Sequence, residues 1–207
     1  MTSAITIIDY GMGNIGSLRN MFRRIGAETH VASDVSSIER ADKILLPGVG
    51  AFDAAIRRTK ELGLTDPIRR KAEQGTPILG ICLGMQLLMD GSEEGQLPGL
   101  GLIPGSAQRF PQSETLKVPH MGWNVVRRTR PSALTDWMHD EDETRFYFVH
   151  SYAVTTADPA DSLLKCRYGL DFDAAVNRGN VYGAQFHPEK SHRFGMELLG
   201  AFAQLPC

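Results

Sequence analysis

Residues 77–89 read Pro-Ile-Leu-Gly-Ile-Cys-Leu-Gly-Met-Gln-Leu-Leu-Met. The first part, residues 77–82, is a short apolar run with no polar face, which predicts a strand buried on both sides. Residues 85–89 continue as a helix. Between them lies Gly80-Ile81-Cys82-Leu83-Gly84, a cysteine flanked by glycines where the strand must turn sharply into the helix. A tight turn of this kind brings backbone segments close together and leaves no room for side chains at Gly80 or Gly84.

The same alternation extends towards the N-terminus. Residues 4–8 are a second buried run, ending at the turn Gly11-Met12-Gly13, and residues 16–25 place Leu18, Met21, Phe22 and Ile25 on one helical face. Residues 43–46 form another apolar run, stopped by Pro47-Gly48, and residues 51–70 read as helix with a break near Gly63. Strand–helix alternation predicts the α/β class: a mostly parallel central sheet flanked by helices on both faces. The second half changes character. Residues 123–127, 145–149, 163–167, 172–177 and 180–185 are short strand-like runs, expected as antiparallel additions to the same sheet system. Residues 192–204 close the pattern as a helix with Phe194, Leu198, Leu199 and Phe202 inward. Residues 1–207 are read as one domain.

Bulk properties narrow the function. The 207 residues are 42% hydrophobic and 22% charged, with a formal net charge of −2. Nothing predicts a basic surface for nucleic acid or anionic lipid. Residues 1–6 lack the positive start of a secretory leader, and no apolar run approaches the ~20 residues that span a bilayer. The three cysteines, Cys82, Cys166 and Cys207, are widely spaced and suggest neither a disulfide framework nor a zinc site. A cytoplasmic, reduced setting without membrane, metal or cofactor is expected.

Cys82 is the candidate nucleophile. The turn resembles a nucleophile elbow with Cys in place of Ser, and a helix that follows offers unpaired N–H groups and a partial positive charge. The Leu83 N–H is placed to receive an oxyanion. The alternative is a buried structural cysteine, but that does not call for glycines on both sides. A thiol nucleophile needs a base, and the base needs an orienting group. His187 follows an apolar run in Gln185-Phe186-His187-Pro188-Glu189. Pro188 biases His187 towards extended backbone, where residues two apart share a side, so His187 and Glu189 are expected to meet. The alternative is a strand-end histidine with an unrelated surface glutamate.

These segments carry a resemblance. Asp9-Tyr10-Gly11-Met12-Gly13-Asn14, Pro47-Gly48-Val49-Gly50-Ala51-Phe52, Gly80-Ile81-Cys82-Leu83-Gly84-Met85-Gln86, Pro119-His120-Met121-Gly122-Trp123-Asn124, Tyr147-Phe148-Val149-His150-Ser151-Tyr152 and Gly183-Ala184-Gln185-Phe186-His187-Pro188-Glu189-Lys190 together resemble the class I glutamine amidotransferases. Within that class the chain is most similar to the glutaminase subunits that serve a cyclase in histidine biosynthesis. The resemblance implies a flavodoxin-like core and glutamine as substrate, with Cys82, His187 and Glu189 as the triad. Val49 and Leu83 would supply oxyanion N–H groups, and Gly50, Gln86, Glu94, His150, Ser151 and Tyr152 would bind glutamine. It further implies a heterodimer with a (β/α)₈-barrel cyclase, met through Asn14, His120, Met121, Trp123 and Asn124. For Trp123 a core position at the start of a strand is equally open. Rival readings are a glutaminase for anthranilate, guanylate or pyridoxal phosphate synthesis, a cysteine hydrolase of esters or peptides, and a regulatory pseudo-amidotransferase.

Overall fold

A computed structural model describes residues 3–111, 116–139 and 143–207. The first strands are β1 (Ile5–Ile8), β2 (Thr29–Ala32), β3 (Lys43–Leu46) and β4 (Ile78–Ile81), with helices α1 (Ile15–Arg24), α2 (Val35–Glu39), α3 (Phe52–Glu61) and α4 (Thr65–Glu73) between them. Helix α5 (Leu83–Leu88) follows β4 directly, then β5 (Gly91–Ser92) and β6 (Gly105–Arg109). The second half holds β7 (His120–Arg128), β8 (Arg145–His150), β9 (Tyr152–Thr156), β10 (Ser162–Tyr168), β11 (Leu170–Arg178) and β12 (Val181–Ala184), closed by α6 (His192–Gln204).

Among the described residues the main sheet has the order β2-β1-β3-β4-β12-β11-β10-β7-β8, and β5-β6-β9 form a small second sheet. The first five strands are parallel neighbours, in the flavodoxin-like order. The remaining pairings of the main sheet are antiparallel. Strand alternation splits the core in two. Ile5, Ile7, Leu45, Leu79 and Ile81 face α1 and α6, through Phe22, Leu198 and Phe202. Ile8, Ile44, Leu46 and Ile78 face α3, α4 and α5, through Phe52, Ile68 and Leu87. Both faces of the parallel strands are therefore dry, which is why they read as unbroken apolar runs.

The expected helices lie where the periodicity put them, and Gly63, at φ +69, separates α3 from α4. One expectation needs correction. Residues 180–185 are not simply an antiparallel addition: β12 runs parallel to β4, Val181 opposite Ile78 and Ala184 opposite Ile81. The loops after β3, β4 and β12 consequently leave the same edge of the sheet. Strand β2 escaped the sequence reading because it is an edge strand with His30 and Val31 exposed. The small sheet escaped it because β6, Gly-Ser-Ala-Gln-Arg, has no apolar alternation. Buried Asp173 on β11 joins the two sheets, accepting the Thr156 N–H and Oγ at 2.8 and 3.0 Å and pairing with Lys165 Nζ at 2.6 Å.

Candidate active site

Cys82 occupies the turn from β4 to α5 at φ 54, ψ −110. A side chain at positive φ is strained, and the surrounding structure must hold it there. Its N–H donates to Ala184 O on β12 at 2.7 Å, and its carbonyl accepts from the Gln86 N–H at 3.3 Å. The flanking glycines are required by contact. A Cβ on Gly84 would run into the Leu46 carbonyl, and one on Gly80 would stand 2.6 Å from Gly84 O. Loop 47–50 is pressed against this turn: a Cβ on Gly48 would lie 2.6 Å from the Tyr10 hydroxyl and 2.8 Å from Gly84 N. That buried hydroxyl donates to Pro47 O at 2.7 Å. Burial, and then the charge at Cys82, raise its pKa. Val49, on this loop, and Leu83, at the start of α5, both line one cleft with Cys82.

His187 reaches the same cleft from the end of β12 and lines it together with Cys82. Its Nδ1 lies 2.8 Å from Glu189 Oε1, with both side chains buried. The two meet as the sequence predicted, but not through continuous extended backbone. His187 is extended and Pro188–Lys190 forms a single 3-10 turn that folds the carboxylate back. Ser191 braces the turn, donating to His187 O at 2.7 Å and accepting from the Tyr147 N–H at 3.0 Å. Burial alone would lower the pKa of His187. The hydrogen bonds and charges of Cys82 and Glu189 outweigh it and raise the value to about 9. The imidazole is therefore built to hold a proton beside the sulfur.

The cleft has a volume of about 370 Å³. Gly50, Gln86, Glu94, His150, Ser151 and Tyr152, all expected around glutamine, line it together with Cys82 and His187. Gly50 adopts φ +103, open to glycine. Glu94 is partly committed: one oxygen accepts the Phe52 N–H at the start of α3 at 3.0 Å. Asp53 ties the Glu94 loop to the same helix, accepting from Gln96 N and Leu97 N at 3.0 and 3.1 Å. Sequence reasoning gave no role to Lys190, which also lines the cleft and brings a cation to it. Nor did it give one to Gln185, whose Nε2 points at Cys82 Sγ from 4.0 Å. Gln185 lies two residues before His187, and that spacing was the available signal. A cavity of similar volume, about 390 Å³, lies between α3, α4 and residues 97–100, away from these groups.

Strand β7 alternates sharply. Met121, Trp123 and Val125 are exposed, at 62%, 43% and 39%. Trp123 is thus a surface residue, stacked on the His192 ring at 5.5 Å, and not a core one. His120, expected at the partner surface, is only 2% exposed. It lies on the inner side of the strand, where a docked protein could not touch it. Asn124 is half-buried on that same side, and Asn14 is exposed and caps α1 through the Ser17 N–H. Among the described residues, no helix is long and apolar enough to cross a membrane, and no cluster of His, Cys, Asp and Glu could hold a metal ion.

The family model for glutamine amidotransferase class-I matches residues 6–203. The chain is 48% identical to "Imidazole glycerol phosphate synthase subunit HisH 2" of Methanococcus maripaludis, over 96% of this chain and 98% of that protein. It is 47% identical to the protein of the same name from Pseudomonas aeruginosa, over 97% and 99%. Among solved structures, PurLQS from Thermotoga maritima contains a chain that superposes with a TM-score of 0.77 at 19% identity, covering 98% of both chains. A glutamine amidotransferase from Thermotoga maritima gives 0.65 at 16% identity, covering 98% of this chain and 83% of that one. At these identities the structures speak for the fold alone.

Proposed function

The chain belongs to the class-I glutamine amidotransferase family, and from that premise we propose that it is the glutaminase subunit of imidazole glycerol phosphate synthase, acting as a single domain. Cys82 Sγ attacks the side-chain amide carbon of glutamine. His187 takes the thiol proton and returns it to the departing nitrogen, so that ammonia leaves and a cysteinyl thioester remains. Water, activated by the same imidazole, then hydrolyses the thioester to glutamate. The oxyanion of both steps is received by the N–H groups of Val49 and Leu83, a kind of donor whose loss typically costs about 10²–10³ in rate. Glu189 fixes the ring of His187. Glu94 takes the substrate ammonium, and the backbone around Ser151, with Lys190 nearby, takes its carboxylate.

The observation that carries this reading is the His187–Glu189 pair, 2.8 Å apart and buried beside Cys82 on its strained turn. An intact nucleophile, base and orienting group speaks against a regulatory pseudo-amidotransferase. The relatives at 47–48% identity favour this synthase over the other glutamine-dependent ones. The partner is then a (β/α)₈-barrel cyclase in the cytoplasm. It joins the ammonia to a phosphorylated ribulosyl aminoimidazole carboxamide and releases imidazole glycerol phosphate and an aminoimidazole carboxamide ribotide. Met121 and Trp123 present the apolar surface such a partner would cover, with Asn14 as a further contact, whereas Asn124 is turned inward to His120 and Arg167 O.

The test is Cys82→Ala with saturating cyclase, comparing glutamine with ammonium as nitrogen source. Glutamine-dependent synthesis is expected to vanish while ammonia-dependent synthesis survives. Persistent use of glutamine by the variant would remove Cys82 from the mechanism.

A further inference from the structure

One wall of the cleft is built on a run of hydrogen bonds with one permitted direction. His150 Nδ1 lies 2.8 Å from Tyr152 O. A carbonyl only accepts, so this nitrogen carries the proton. Burial holds His150 neutral, with its pKa lowered to about 3, and a neutral imidazole has one N–H. His150 Nε2 is therefore an acceptor. It is met at 3.0 Å by Nδ1 of His120, which must donate. Burial also keeps His120 neutral, with its pKa lowered to about 4, and its remaining nitrogen accepts from Asn124 Nδ2 at 3.3 Å. Asn124 Nδ2 donates as well to Arg167 O at 3.1 Å, which fixes that amide's orientation.

At its inner end the run continues to the nucleophile. Gln86 Nε2 donates at 3.3 Å to the same Tyr152 carbonyl and at 3.3 Å to Gln185 Oε1. Gln185 Nε2 in turn faces Cys82 Sγ at 4.0 Å. The Tyr152 carbonyl is thus held from two sides, by Gln86 and by His150. Only the His150 hold depends on a tautomer, and the His120 donor at Nε2 reinforces the one that the Tyr152 carbonyl selects.

We propose that His120 is a positioning residue of the glutaminase reaction: it donates to His150 Nε2 and thereby fixes the ring that holds the Tyr152 carbonyl in the glutamine pocket. The inference rests on the glutaminase reading above. Its geometry comes from strand register, because His120 on β7 lies directly opposite His150 on β8. Its rigidity comes from packing, because the His120 ring stacks on Phe148 at 4.7 Å and on Tyr168 at 4.0 Å. Without the His120 donor, His150 Nε2 is a buried acceptor with no partner. The ring is then free to exchange tautomers or rotate, and Tyr152 O is left to Gln86. His120 touches no reacting atom, so its loss falls on the shape of the substrate wall.

The aromatic seat supplies the test. In the complex with the cyclase, His120→Phe keeps a flat ring between Phe148 and Tyr168 and removes the donor, while His120→Gln restores an N–H. His120→Phe is expected to raise KM for glutamine about 3- to 10-fold, the equivalent of one neutral hydrogen bond, with kcat changed less. His120→Gln is expected to recover most of that loss. Imidazole nitrogen NMR should show His150 as a single Nδ1–H tautomer in the wild type and as a mixture in His120→Phe. A folded His120→Phe with wild-type KM, or a His120→Gln no better than it, overturns the inference while leaving the glutaminase reading intact. A wild-type complex that cannot use glutamine overturns both.

Discussion

On one wall of the cleft, loop 47–50, Cys82 and His187 leave the ends of three neighbouring parallel strands, β3, β4 and β12. On the other, His120, His150 and Tyr152 belong to antiparallel strands and meet through cross-strand register. The first wall is crowded backbone: glycines at 48, 80 and 84 leave no space for a Cβ. The second is a line of side chains that satisfy one another inside an aromatic cluster, with Phe110 and Phe172 packed around the two histidines. The two walls are therefore vulnerable in different ways. Crowded backbone fails as a unit when an atom is added, whereas a hydrogen-bonded line fails by degrees when a donor is removed.

The largest effect should follow Gly84→Ala. Its Cβ meets the Leu46 carbonyl, and backbone on both sides cannot yield without opening the elbow. A loss of about 3 kcal/mol in urea unfolding is expected, with glutaminase activity lost alongside. Wild-type stability in this variant would break the contrast between the walls.

Glu189→Gln should act on the chemistry and spare the fold. A neutral amide cannot stabilise the protonated imidazole, and kcat is expected to fall roughly 100-fold. The sign of the pH effect follows from His187, whose pKa of about 9 reflects burial, which lowers it, outweighed by Cys82 and Glu189, which raise it. Protonated His187 delivers the proton to the departing nitrogen, so the rate falls as pH rises through that value. Removing Glu189 lowers the pKa, and the alkaline limb of the kcat profile should move to lower pH. A limb that stays in place would detach Glu189 from the base.

The smallest effect is expected for Tyr10→Phe, a change on the crowded wall that removes a donor and adds no atom. The Pro47 carbonyl loses its 2.7 Å partner, costing about 1 kcal/mol of stability by urea unfolding. If Tyr10→Phe proved as damaging as Gly84→Ala, hydrogen bonding would govern both walls alike.

Much of the first wall was legible from short stretches of sequence. The apolar run before Cys82, the glycines beside it and the proline after His187 act on their immediate neighbours, and local sterics can be read residue by residue. The longer helices were legible for the same reason, since one face of 16–25 or 192–204 repeats with the helical period, whereas the five-residue α2 is too short to show one. The direction of β12 was not. Its residues are apolar in either orientation, and only pairing with β4 sets the direction and brings the His187 turn to the edge that carries Cys82.

The second wall shows the limit from the other side. His120 and His150 were each noticed, one as partner surface and one as substrate contact, and thirty residues of chain separate them. What joins them is the pairing of β7 with β8, which places the two rings opposite each other and turns His120 inward. The strand–helix alternation, the cysteine elbow and the meeting of His187 with Glu189 are written into the chain itself, because each is settled by near neighbours in the sequence, although the 3-10 turn that joins the last pair was not foreseen. Folding alone buries His120, points its proton at His150, and lets Gln86 and Gln185 carry the line on to Cys82. Those contacts depend on register and burial, and neither exists until distant strands have paired.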